Sequence, residues 1–160
     1  MARRLLAIAA ATGRVSYVFF VGRRLLDWRV SEKAAKSPSM AAAETQKWIN
    51  ELQPDVLVTE KPGPRSKKDG KTLKINAAIV NTGAHNYLLD ISAERAPKHA
   101  NKYDEAKAQA QRYPEISAWL PKKRRFFDNE SRNIVLFEAL SLAENVLEGR
   151  GPDKTAGTPI

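Results

Sequence analysis

Cysteine is absent from all 160 residues, which excludes disulfides, thiolate zinc sites and cysteine nucleophiles. A chain without thiols suits a reducing compartment, so the expected location is the cytoplasm. Histidine is almost as scarce: His85 and His99 are the two present, too little material for a histidine-based metal centre. No apolar stretch approaches the roughly 20 residues of a membrane span, and no membrane partner is expected. Met1-Ala2-Arg3-Arg4 followed by Leu5–Ala11 has the charge order of a secretory leader, but the apolar run is short and passes into alternating, strand-like sequence. The chain also lacks a phosphate-binding loop, a nucleophile elbow, a metal–histidine motif and any internal repeat.

The apolar fraction of 42% with 28% charged residues is ordinary for a globular chain, and the length allows one domain with a real core. We assign that domain to residues 1–150 and read 151–160 as a flexible tail. The net charge of +9 is unevenly spread. Residues 61–74 hold six Lys/Arg against one Asp, and residues 95–125 hold nine against three acids, so the rest of the chain is slightly negative. A local basic surface suits a polyanion such as nucleic acid, because each phosphate contact releases counterions; it also suits a solvated surface that aids solubility. The first block supplies Lys61, Arg65, Lys67, Lys68, Lys71 and Lys74. The second ends in Lys122-Lys123-Arg124-Arg125-Phe126-Phe127, where cations adjoin rings that could stack on bases or anchor a linker in the core.

Leu5–Ala11, Arg14–Val21 and Leu25–Val30 read as three short strands separated by turns at Thr12-Gly13 and Gly22-Arg23, an antiparallel meander. Ser37-Pro38 opens an amphipathic helix with Ala41, Trp48, Ile49 and Leu52 on one stripe, stopped by Pro54. Val56-Leu57-Val58, apolar at consecutive positions, fits a strand covered on both faces, and Thr59-Glu60 stand at its exit. The carboxyl ends of such strands are where α/β folds place their chemistry; a solvated Glu is the plainer reading. After the basic loop come a helix over Thr72–Ala84 with Leu73, Ala77, Val80 and Ala84 inward, a strand over Tyr87–Ile91 and a helix over Lys102–Arg112. Asp128-Asn129-Glu130-Ser131 then leads into a final helix, Arg132–Glu148.

The resulting order, β-β-β-α-β-α-β-α, resembles the ribonuclease H-like fold: α/β, a mixed five-stranded sheet with helices on both faces. Three stretches are similar to the RuvC-type Holliday-junction resolvases. Leu5-Leu6-Ala7-Ile8-Ala9-Ala10-Ala11-Thr12 resembles their first strand, in which apolar residues lead to Ile-Asp. Gln53-Pro54-Asp55-Val56-Leu57-Val58-Thr59-Glu60 resembles the Pro-Asp pair and the strand ending in Glu. Phe137-Glu138-Ala139-Leu140-Ser141-Leu142-Ala143 resembles the final helix with its Asp-Ala-Leu-Ala run.

The resemblance implies three or four carboxylates holding two Mg²⁺ (or Mn²⁺) ions for cleavage of branched DNA, and a homodimer. Glu60 is its best-kept ligand, followed by Glu138, then Asp128 and Glu130. The departures are specific. Ala9 stands where the first Asp belongs, and the companion acid one turn before Glu138 falls on Val135; a second register uses Asp128 and Glu130 and puts Arg132 at the last acid. For Glu138 a partly exposed helix position, and for Asp128 a helix-entry acid, are the alternative readings. Two classes follow: a metal-dependent structure-specific DNA endonuclease, weak or disabled, or a non-catalytic module that binds duplex or branched nucleic acid or a protein partner.

Overall fold

Gly13, at φ +79°, closes the first hairpin in a left-handed conformation that glycine adopts without strain, and it reverses β1 (Arg4–Ala11) into β2 (Arg14–Val21). The computed structural model describes residues 2–61, 70–93, 102–120 and 133–148. β2 turns into β3 (Arg24–Ser31), a short 3-10 helix covers Lys33–Ala35, and α1 (Pro38–Leu52) begins with the Ser37 side chain accepting from Met40 N. β4 (Val56–Glu60), α2 (Gly70–His85), β5 (Leu89–Ala93) and α3 (Lys102–Arg112) follow. A second 3-10 helix (Pro114–Trp119) and α4 (Ile134–Leu147) complete the described chain.

The five strands form one mixed sheet in the order β3-β2-β1-β4-β5. β1, β2 and β3 are antiparallel neighbours, while β4 runs parallel to β1 and β5 parallel to β4. Alternation along the strands splits the core into two layers. Leu5, Ala7, Ala9, Val18, Phe20, Val56 and Val58 face α3 and α4, whereas Leu6, Ile8, Tyr17, Phe19 and Leu57 face α1 and α2. Both layers are predominantly apolar, and each fully buried large apolar side chain contributes about 1.5–3 kcal/mol.

Arg4 ties one end of this stack together. Its backbone N donates to Asp55 Oδ2 at 3.0 Å, and its guanidinium donates to Leu52 O and Gln53 O at 2.6 and 2.9 Å, satisfying carbonyls at the end of α1. On the other layer, Arg112 and Gln109 of α3 both donate to Glu144 of α4, with Arg112 Nε at 2.7 Å from Oε2.

Two sequence expectations need correction. The strand expected over Tyr87–Ile91 begins at Leu89, because α2 runs to His85 and closes with Tyr87 in the left-handed region at φ +57° and Leu88 N donating to Gly83 O. The inward face of α2 is Thr72, Ile75, Ile79, Thr82 and Gly83. Leu73, Ala77 and Ala84 are exposed and Val80 half-buried, so the helix is rotated from the apolar stripe read in the sequence. Gly83 explains the rotation: it lies against Leu57 of β4, and a Cβ there would collide with Leu57 Cδ2. Among the described residues no helix is long and apolar enough to cross a membrane.

Candidate functional site

Parallel pairing of β1 with β4 matches Leu5 to Val56 and continues to Ile8 and Thr59, so Ala9 and Glu60 are the next two residues at the strand ends. Ala9 shares a core layer with Leu5 and Ala7, and Glu60 shares its strand parity with Val56 and Val58, which directs both side chains to the α4 face. Ala9 is completely buried; Glu60 is half-buried, with Oε1 sealed from solvent. The β4 exit is pinned by two contacts. Asn76 Nδ2 of α2 donates to Glu60 O at 3.1 Å, and Lys61 N donates to Ala93 O of β5 at 2.9 Å.

α4 brings Glu138 to the same end of the sheet. Arg23, at the β2–β3 turn, donates to Leu147 O at 3.1 Å, so the C-terminus of α4 sits beside the start of β1 and the helix runs antiparallel to that strand. At 1.5 Å per residue Glu138 lies about 13 Å back along the helix from Leu147, and at 3.3 Å per residue Ala9 lies about 16 Å along β1 from Arg4. Glu138 is therefore nearly level with Ala9. Gln109 of α3 reaches Phe137 O, Ser141 Oγ and Glu144, which leaves Val135, Ala139 and Val146 on the opposite, sheet-facing side and Glu138 on the flank between them. Glu138 is buried, with Oε2 sealed from solvent, so the alternative reading of a partly exposed helix Glu does not hold.

Among the described residues the donors do not make up a two-ion centre. A methyl group occupies position 9 and an isopropyl group position 135, both buried, and neither can ligate a cation. Among the described residues no three His, Cys, Asp or Glu side chains cluster closely enough to hold a metal. Asp128 and Glu130, with Arg132 of the alternative register, lie outside the described residues, so two of the four expected carboxylates are placed, and they stand at one end of the sheet.

The same end carries cations. α2 runs antiparallel to β4, since Asn76 meets Glu60 and the β5 start meets Asp55 (Leu89 N to Asp55 O, 3.4 Å); its first turns therefore project beyond the β4 exit. Lys61, Lys71 and Lys74 are exposed there. Arg65, Lys67, Lys68, Lys122, Lys123, Arg124 and Arg125 lie outside the described residues. Sequence reading missed three further cations at this end: Arg14 in the first hairpin, and Lys33 and Lys36 after β3, whose last residue Ser31 pairs with Val15. Scattered singly along the chain, they form no run that composition could flag.

No family model and no curated protein sequence matches the chain. Solved structures do match it. Thermus thermophilus RuvC superposes with a TM-score of 0.61 at 15% identity, covering 92% of this chain and 98% of that one. The fowlpox virus Holliday junction resolvase gives 0.59 at 15% identity, covering 91% and 99%. T. thermophilus RuvC in complex with a Holliday junction substrate gives 0.58 at 11% identity, covering 93% and 98%. Matched over more than nine-tenths of both chains, this chain has the RuvC-like resolvase fold.

Proposed function

We propose that the chain is a RuvC-like nucleic-acid-binding protein that engages branched DNA at the ends of β1 and β4 and cleaves it weakly or not at all. The observation that carries this reading is the pairing of a buried Ala9 with Glu60 at the strand ends, beneath exposed Lys61, Lys71 and Lys74. Phosphates are attracted to such a surface, whereas a methyl group in place of a bridging carboxylate removes several kcal/mol of transition-state stabilisation, a rate loss of about a thousandfold or more. Two neighbours of the same fold are solved with Holliday junction DNA, which supports a branched partner.

Binding through these lysines should be steeply salt-dependent. A four-way DNA junction titrated between 50 and 200 mM salt tests it with the whole protein and with Lys61, Lys71 and Lys74 replaced together by Ser. Each phosphate contact contributes about −0.9 to the slope of log affinity against log salt, so the triple variant should lose a slope of about 2–3. An unchanged slope would exclude these residues as the phosphate-contacting surface.

A further inference from the structure

Trp119 is 39% exposed, and its ring is held from one side by Trp28 in an edge-to-face contact, with centroids 5.3 Å apart and planes at 84°. An edge-to-face partner locks a ring while leaving a face available, the arrangement a stacking surface needs. The other two tryptophans are covered: Trp48 is fully buried and Trp28 half-buried.

The placement of this ring is informative. Trp28 sits on β3 opposite Val18, which in turn pairs with Ala7, so Trp28 lies two strands across from β1 and level with Ala7, two residues or about 7 Å short of Ala9 along the strand. At about 4.8 Å per strand the lateral separation is about 10 Å, the length of about three base steps at 3.4 Å each. Asn133, at the N-terminus of α4, donates from Nδ2 to Trp119 O at 3.0 Å and so fixes the end of the 3-10 helix against the helix that carries Glu138. Cations on the same end of the sheet, exposed Lys33 and Lys36 and half-buried Arg14, would hold a phosphodiester backbone within reach.

We infer that Trp119, braced by Trp28, is a stacking platform for an unpaired nucleobase next to the strand-end site. The inference rests on the nucleic-acid reading above and adds what that reading leaves open: the surface takes DNA with unstacked bases in preference to fully paired duplex. Stacking is indifferent to base identity, because every base offers a π-face, whereas a duplex hides them everywhere but at its two ends. The platform therefore selects for strand separation and carries no sequence preference.

The experiment uses the full chain with two DNA probes of equal length, a fork bearing single-stranded oligo(dT) arms and a blunt duplex. Tryptophan emission should be quenched by the fork and hardly changed by the duplex, since Trp119 is the exposed indole. Trp119→Leu should abolish the quenching and weaken fork binding by about 5- to 150-fold, the equivalent of one stacked base. Duplex binding should change less than twofold, and Trp119→Phe should keep fork preference. Equal weakening on both probes, or no weakening on either, would overturn the platform while leaving the nucleic-acid reading intact. Absence of binding of the unmodified chain to both probes would remove that reading and the platform with it. Should Trp119→Leu not fold, the quenching of the unmodified protein and the affinities of Trp119→Phe decide: no fork-specific quenching overturns the inference.

Discussion

Ala9 and Glu60 stand side by side across the β1–β4 pair, one step beyond the matched residues Ile8 and Thr59, with both side chains on the face that α4 covers. A strand-end carboxylate is kept, its neighbour is a methyl group, and a second carboxylate, Glu138, arrives at the same level from α4.

Gly83 holds α2 against the sheet, and its replacement should show it. Alanine would raise helix propensity by about 1 kcal/mol, but its Cβ would meet Leu57 Cδ2 inside van der Waals contact, deep in a fully buried strand. Overpacking of that kind costs about 1–3 kcal/mol, so Gly83→Ala should lower the thermal midpoint by several degrees. A midpoint that rises would mean that propensity outweighs the contact and that α2 can shift freely on β4.

Tyr17 should impose an alkaline limit. Its hydroxyl donates to Asp27 Oδ2 at 2.7 Å, and burial, with the Asp27 hydrogen bond and charge beside it, pushes its pKa well above the ordinary value. A raised folded-state pKa means that the stabilisation is fully present below about pH 10 and is lost as pH climbs from there through the folded value. Tyr17→Phe loses the hydrogen bond at neutral pH, a cost of about 1 kcal/mol, yet its stability should fall less steeply above pH 10. Denaturant melts from pH 8 to 11 check this; parallel declines in the two proteins would show that another group sets the alkaline limit.

Much of this fold was legible because period and punctuation agree. The meander follows from alternation around Thr12-Gly13 and Gly22-Arg23, α1 from Ser37-Pro38, and β4 from a run apolar at consecutive positions. Where reading failed, the deciding contact is tertiary. Thr72, Thr82 and Gly83 are buried without being strongly apolar, so the stripe through Leu73 and Ala77 misassigns the face of α2. Tyr87 gives no sign of a left-handed helix stop, a place where glycine or asparagine is the usual signal. At the site, Glu60 was legible as a strand-end carboxylate. The burial of Glu138 was not, since it depends on how α4 packs along the sheet, a tertiary relationship marked by the contact of Arg23 with Leu147.

On the function proposed above, Ala9 holds down the cleavage of branched DNA, and one measurement tests this most directly: cleavage of a labelled four-way junction in Mg²⁺ or Mn²⁺ by the unmodified chain, by Ala9→Asp, and by Ala9→Asp combined with Glu60→Ala. A carboxylate at position 9 would be buried beside Glu60, where it is costly without a cation, so Ala9→Asp should melt lower than the parent in chelator and recover when the metal is added. The expected result is little or no cutting by the parent, a rate raised by a factor on the order of a thousand in Ala9→Asp, and loss of that gain in the double variant. Robust cutting by the unmodified chain, unaffected by Glu60→Ala, would contradict the account and place the chemistry elsewhere.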